Sequence, residues 1–95
     1  MSTRTIPVAV FRLGRIVVTP NALHSITQGD ILLGIRRHQA GDWGELTDED
    51  REANDQALVQ GTRILSAYTA ISGTRFWIIT EADRSATTVL LPKDY

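Results

Sequence analysis

The sequence predicts a two-layer α+β domain: an N-terminal strand, two to three helices and a C-terminal three-stranded antiparallel meander. From Arg63 onward, apolar and polar residues alternate with period two in three short runs separated by turn residues. Between Thr19 and Gly61, capping residues and glycines frame segments with helical spacing. At 95 residues the chain buries one hydrophobic core and not two, so residues 1–95 are read as one domain without linker or repeat.

The first element runs from Val8 to Val18, a strand rich in β-branched and aromatic bulk and broken at Gly14. Thr19-Pro20 supplies a capping hydroxyl followed by proline at the first helical position, which predicts a short helix from Pro20 to about Gln28. Gly29 is read as its stop. Asp30 then caps a second helix through Gln39, with Gly41 ending it. Ile31, Ile35 and His38 fall on one face of that helix with Leu32 alongside, while Arg36 and Arg37 point elsewhere. Thr47 followed by Asp48, Glu49 and Asp50 reads as a capped helix start with acids where the dipole favours them, and Gly61 closes this third helix after Gln60. Its thin apolar content, Ala53, Ala57, Leu58 and Val59, places it on the surface with a narrow buried stripe.

The three meander strands centre on Ile64–Thr69, Phe76–Glu81 and Thr87–Leu91, joined by turns at Ser72-Gly73 and Ala82–Ser85 and ended by Pro92. The second carries bulk on both faces, Trp77 and Ile79 against Phe76 and Ile78. This pattern predicts cover on both sides, with a homodimer across the face that the helices leave open.

Composition excludes several classes. An apolar fraction of 42% and a charged fraction of 22% are ordinary globular values. The absence of cysteine removes disulfides, thiolate nucleophiles and sulfur-ligated metals, and points to a reducing cytoplasm. The apolar runs are far shorter than the ~20 residues a membrane-spanning helix needs. Pro7 and Arg12 interrupt Ile6, Val8, Val10 and Phe11, so no signal peptide is expected.

The net charge of −1 hides an asymmetry. Seven acids against Arg51 alone leave −6 between Gly41 and Gln60, and the remainder carries +5. An acidic helical face on a mildly basic body points to a protein partner, with Asp48, Asp50 and Asp55 as contact residues. A pI near 6.0 and no basic cluster larger than Arg36-Arg37 oppose direct nucleic-acid binding.

Two histidines titrate near neutrality when unperturbed. His38 ends a helix whose carbonyls favour an imidazolium, and Asp42 follows four residues on, past a glycine that permits a turn back. The two are a candidate oriented general base, or else a structural pair. Arg63, Ser66, Tyr68 and Arg75 lie on or beside the first two meander strands. With His38 they match the inventory of a metal-independent ribonuclease, in which a histidine moves protons and arginines hold phosphate. His24 and His38 stand fourteen residues apart, which fits no metal-ligand motif, and no metal is expected. Gly41-Asp42-Trp43-Gly44 lacks the lysine and the strand-to-helix setting of a phosphate loop, so no cofactor is expected. Trp43 is either a core anchor or an exposed recognition residue. Asp83 and Arg84, in the last hairpin, either bind a polar ligand or build the turn itself.

The stretches His38–Gly44, Gly61–Tyr68, Trp77–Ser85 and Thr87–Pro92, together with Asn54 and Gly14–Pro20, resemble a group of small uncharacterised bacterial proteins often encoded on plasmids and integrated mobile elements. Such proteins are frequently labelled restriction–modification subunits, but 95 residues hold no methyltransferase fold with its cofactor loop. The resemblance implies a bacterial mobile-element setting and transfers no catalytic residues. Two functions are therefore expected: a non-enzymatic binding or regulatory module, or, as the alternative, a small ribonuclease-like toxin using His38.

Overall fold

Three threonines start the three helices. Thr19, Thr27 and Thr47 stand in extended backbone, and their hydroxyls accept the N–H groups of Ala22, Asp30 and Asp50, which helix starts leave without intrahelical partners. The helices are α1 (Pro20–Ser25), α2 (Gln28–Gln39) and α3 (Asp48–Gln60) in a computed structural model that describes residues 9–95. The boundary between the first two corrects the sequence reading. Gly29 lies in the first turn of α2 rather than ending α1, and Asp30 accompanies the dipole there while Thr27 serves as the cap. The ends of α2 and α3 fall where expected, with Gly61 in the left-handed region at φ 73° and its N–H returned to the Ala57 carbonyl.

The meander is β2 (Ile64–Thr69), β3 (Arg75–Thr80) and β4 (Ala86–Leu90), antiparallel throughout, with Ile64 opposite Thr80 and Ile78 opposite Val89. The N-terminal strand β1 covers only Arg15–Val18 and pairs in parallel with β4, giving the sheet order β1-β4-β3-β2. The expected strand was longer. Gly14, at φ 63°, redirects the chain, and the Val10 N–H donates to the carbonyl of Gln39 at the end of α2, so residues 9–14 follow the helix layer instead of the sheet. The start of that expected strand, Val8, and Ile6 and Pro7 before it, lie outside the described residues.

Helix α2 lies on one sheet face. Ile31 and Ile35 are buried against Phe76, Ile78 and Val89, and at Gly34 the backbone comes so near that an added Cβ would stand 2.9 Å from the Phe76 ring. Leu32, expected beside Ile31 and Ile35, faces solvent. A second cluster gathers Trp43, Ala57 and Ile64, packed by Phe11, Leu46 and Leu58, where the loop before α3 meets β2. Gly44 (φ 75°) bridges to Ala67 along the outer edge of β2, where a Cβ would collide with the Ala67 carbonyl, and so covers that edge.

On the other sheet face Ile79 and Leu90 are buried, and Tyr95 packs edge-on against Trp77 at 5.7 Å after a 3-10 turn over Pro92–Asp94. Both faces of β3 thus receive cover from this chain itself.

Candidate functional site

The only candidate base on α2 is enclosed. His38 is fully buried, with Phe11 edge-on at 5.1 Å and Trp43 at 6.0 Å. Its Nδ1 is 2.6 Å from Ser66 Oγ on β2 and its Nε2 is 2.8 Å from Thr80 Oγ1 on β3. Thr80 is 2.7 Å from Thr87 Oγ1 on β4, and the Thr87 hydroxyl donates to the Leu13 carbonyl at 2.7 Å.

That last bond orients the whole relay. A hydroxyl has one proton, and Thr87 gives its own to a carbonyl, which can only accept. Thr87 therefore accepts from Thr80, Thr80 accepts from the His38 Nε2–H, and Nδ1 accepts from Ser66. The imidazole is neutral with its proton on Nε2. Burial, reinforced by the positive charge of Arg84, lowers the pKa of His38 from 6.5 to about 3. Chemically, both ring nitrogens are occupied and no substrate reaches them.

The pair proposed from sequence, His38 with Asp42, does not form. Asp42 ion-pairs with Arg37, at 2.7 Å and 3.2 Å from its two carboxylate oxygens, and receives the Gly44 N–H. The Arg37 guanidinium holds the Asp42 carboxyl below its ordinary range, and Asp42 in turn raises Arg37. The backbone carbonyl of Asp42 accepts from the Tyr68 hydroxyl at 2.6 Å, while Arg37 lies over the Tyr68 ring. Burial raises the Tyr68 phenol. Arg63 is exposed and donates to the Tyr95 hydroxyl. Ser66 alone of the ribonuclease inventory meets His38; Arg63, Tyr68 and Arg75 find other partners or solvent.

The remaining candidates divide clearly. Trp43 is a core anchor, 5% exposed, and its indole N–H donates to Asp55 at 3.0 Å. Asp55 is thereby tied to the loop before α3. Asp48 and Asp50 are exposed on the first turn of α3 with Glu49, and Glu52 is exposed on the turn after it. The nearby Arg51 turns away to the Gly44 carbonyl, and the one ion pair among the described residues is that of Arg37 with Asp42. Asp83 receives the Ser85 N–H within the hairpin, and Ser85 holds its carboxyl below the ordinary range. Arg84 builds the hairpin rather than binding a ligand: its guanidinium donates to the carbonyls of Thr62, Glu81 and Ala57, joining the hairpin to the end of α3. Among the described residues no group of His, Asp and Glu is placed to hold a metal ion, and no helix is long and apolar enough to cross a membrane.

One surface was not singled out from sequence. Ile16 and Val18 of β1, Leu23 of α1 and Ile31, Leu32 and Ile35 of α2 line an apolar groove of about 330 Å³. Leu23 and Leu32 stand off the buried stripe of their helices, and that was the available signal. Comparison of the chain with protein families, with curated proteins and with solved structures found no match in any of the three.

Proposed function

We propose that this chain is a non-enzymatic binding or regulatory module that docks a basic protein partner on the acidic first turn of α3, in the bacterial, cytoplasmic mobile-element setting its resemblance implies. One observation carries the reading: Asp48, Glu49, Asp50 and Glu52 are all exposed, and the local arginine, Arg51, is engaged with a backbone carbonyl. Four exposed acids against the single charge of Arg51 leave a net −3 over residues 48–52, a field that speeds encounter with positive surfaces and repels nucleic acid. The enclosure of His38 weighs against the ribonuclease alternative, because a general base must reach the proton it removes.

The test is a capture from host lysate followed by kinetics on the protein recovered. The variant is Asp48→Lys, Asp50→Lys and Glu52→Lys together; Asp55 is left intact because it holds Trp43. Slower association at low salt, with loss of salt dependence, is the expected result. Equal rates for variant and wild type would reduce the acidic turn to a solvated surface. Growth arrest on expression with RNA cleavage, abolished by His38→Ala in a folded protein, would favour the ribonuclease instead.

A further inference from the structure

In a parallel pair, alternate residues turn their backbone groups toward the neighbouring strand. The Arg15 N–H donates to the Ser85 carbonyl and the Thr19 N–H to that of Val89, both at 2.9 Å. Arg15, Val17 and Thr19 thus face β4, and Ile16 and Val18 aim N–H and C=O away from the sheet. No described residue pairs with them, although the opposite edge, on β2, is covered by the loop through Gly44. A free edge of unpaired groups is a template for another strand. The side chains around it are apolar and open: Ile16 is 47% exposed, Leu23 60% and Leu32 61%.

We infer that β1 is the docking edge of a symmetric dimer, joined antiparallel to β1 of a second copy about a two-fold axis at Val17. This register sets Ile16 opposite Val18 of the copy, and Val18 opposite its Ile16, each as a hydrogen-bonded pair that exchanges both N–H···O bonds. Gly14 then faces Pro20 of the copy, which has no N–H to give, and the ladder ends there. Ile16 and Val18 project toward the helix layer with Leu23 and Leu32, so the two apolar grooves close against each other.

Charge selects a second copy over an unrelated strand. Arg15 falls opposite Thr19 of the copy, and the Thr19 hydroxyl holds the carboxylate of Asp94 at 2.7 Å. Each Arg15 therefore stands beside the other chain's Asp94, twice by symmetry. An arbitrary peptide satisfies the strand bonds but not this reciprocal pair.

The chain has no cysteine, so a single introduced thiol reports the geometry. At the axis, Val17 and its copy form a non-hydrogen-bonded pair with Cα atoms about 4.5 Å apart, inside the ~4.4–6.8 Å range of a disulfide. Light scattering on the wild-type chain should give about twice the 10.5 kDa chain mass. Val17→Cys should be trapped as a covalent dimer on mild oxidation, while Ile71→Cys, at an exposed site in the turn between β2 and β3, remains monomeric on a non-reducing gel. Arg15→Glu should weaken the dimer several-fold, and adding Asp94→Lys should restore it. A mass of one chain at high micromolar concentration overturns the inference, as does a dimer that traps Val17→Cys no faster than Ile71→Cys. Neither result bears on the acidic turn of α3, which lies elsewhere in the chain.

Discussion

The His38 Nε2–H donates to Thr80 Oγ1 across 2.8 Å, a direction set two bonds away by the Thr87 hydroxyl, which must give its proton to the Leu13 carbonyl. One helix, three strands and the N-terminal segment are joined by a buried polar chain in which each donor has an acceptor. Such a chain specifies a unique packing, because any slip leaves a polar group unpaired in the core. His38→Ala should cost about 3 kcal/mol or more, from the cavity and from the Ser66 hydroxyl, which loses its acceptor on Nδ1. Thr87→Val should cost about 1–3 kcal/mol by leaving the Thr80 hydroxyl proton without an acceptor and the Leu13 carbonyl without this donor. Urea titration of each variant measures both.

The same residue sets the pH dependence. The unfolded chain binds a proton at His38 as pH falls through 6.5, whereas the folded chain does not until about 3. Between those values the unfolded state holds more protons, so stability falls as pH falls, with a limiting slope of about 1.4 kcal/mol per pH unit. Above 6.5 the residue contributes no slope. Asp42, Asp83 and Asp94 have lowered pKa values and withdraw their contribution only from about 3.8 downward. Denaturation midpoints between pH 6.5 and 5 therefore isolate the histidine, and His38→Gln should flatten that segment.

Trp43 and Asp55 stabilise the loop before α3 as a pair. Trp43→Phe and Asp55→Ala should each cost about 1 kcal/mol, and the double variant less than both together, since either change removes the same bond. A double-mutant cycle on unfolding free energy gives the coupling. Strict additivity would show that the indole N–H is as well satisfied by water.

Gly34 invites the wrong engineering choice. Replacing a mid-helix glycine by alanine ordinarily gains up to about 1 kcal/mol. Here the new Cβ would stand 2.9 Å from the Phe76 ring and 3.1 Å from Ile78, so overpacking of about 1–3 kcal/mol should prevail and thermal melting should shift down.

Arg84 combines an unusual backbone with a structural side chain. It stands at φ 61°, the only non-glycine residue described with positive φ, and its guanidinium reaches three carbonyls. Arg84→Ala loses those bonds and keeps the backbone strain, for about 2 kcal/mol. Arg84→Gly loses the bonds but relieves the strain, so it should be milder by about 1 kcal/mol. Comparison of the two melting curves separates side chain from backbone.

Helix starts and the meander were readable from sequence because their causes are local. A threonine hydroxyl caps an N–H three residues on, and period-two alternation acts within a single strand. The same local rule failed at Gly29 and Asp30, where two plausible signals stood within three residues of Thr27 and only the packed helix favoured the threonine.

The site is a different matter. His38 and Asp42 are close in sequence, yet the histidine's partners lie 28 and 42 residues away on strands whose pairing brings them under α2. Asp42 has an arginine five residues before it that forms a bidentate pair, stronger than a bond to a neutral imidazole. Arg84 reaches carbonyls at the end of α3, which no nearby residue announces. The parallel pairing of β1 with β4, and hence the free edge at Ile16 and Val18, depends on closing a loop that contains all three helices and two strands. Sequence alone determined the fold class, the capped starts of α1 and α3 and the meander, since each rests on interactions among near neighbours. Tertiary structure decided that His38 is an internal hydrogen-bond carrier, that Trp43 is core and that β1 is an edge strand among the described residues, because burial and long-range pairing choose among partners that local patterns leave equivalent.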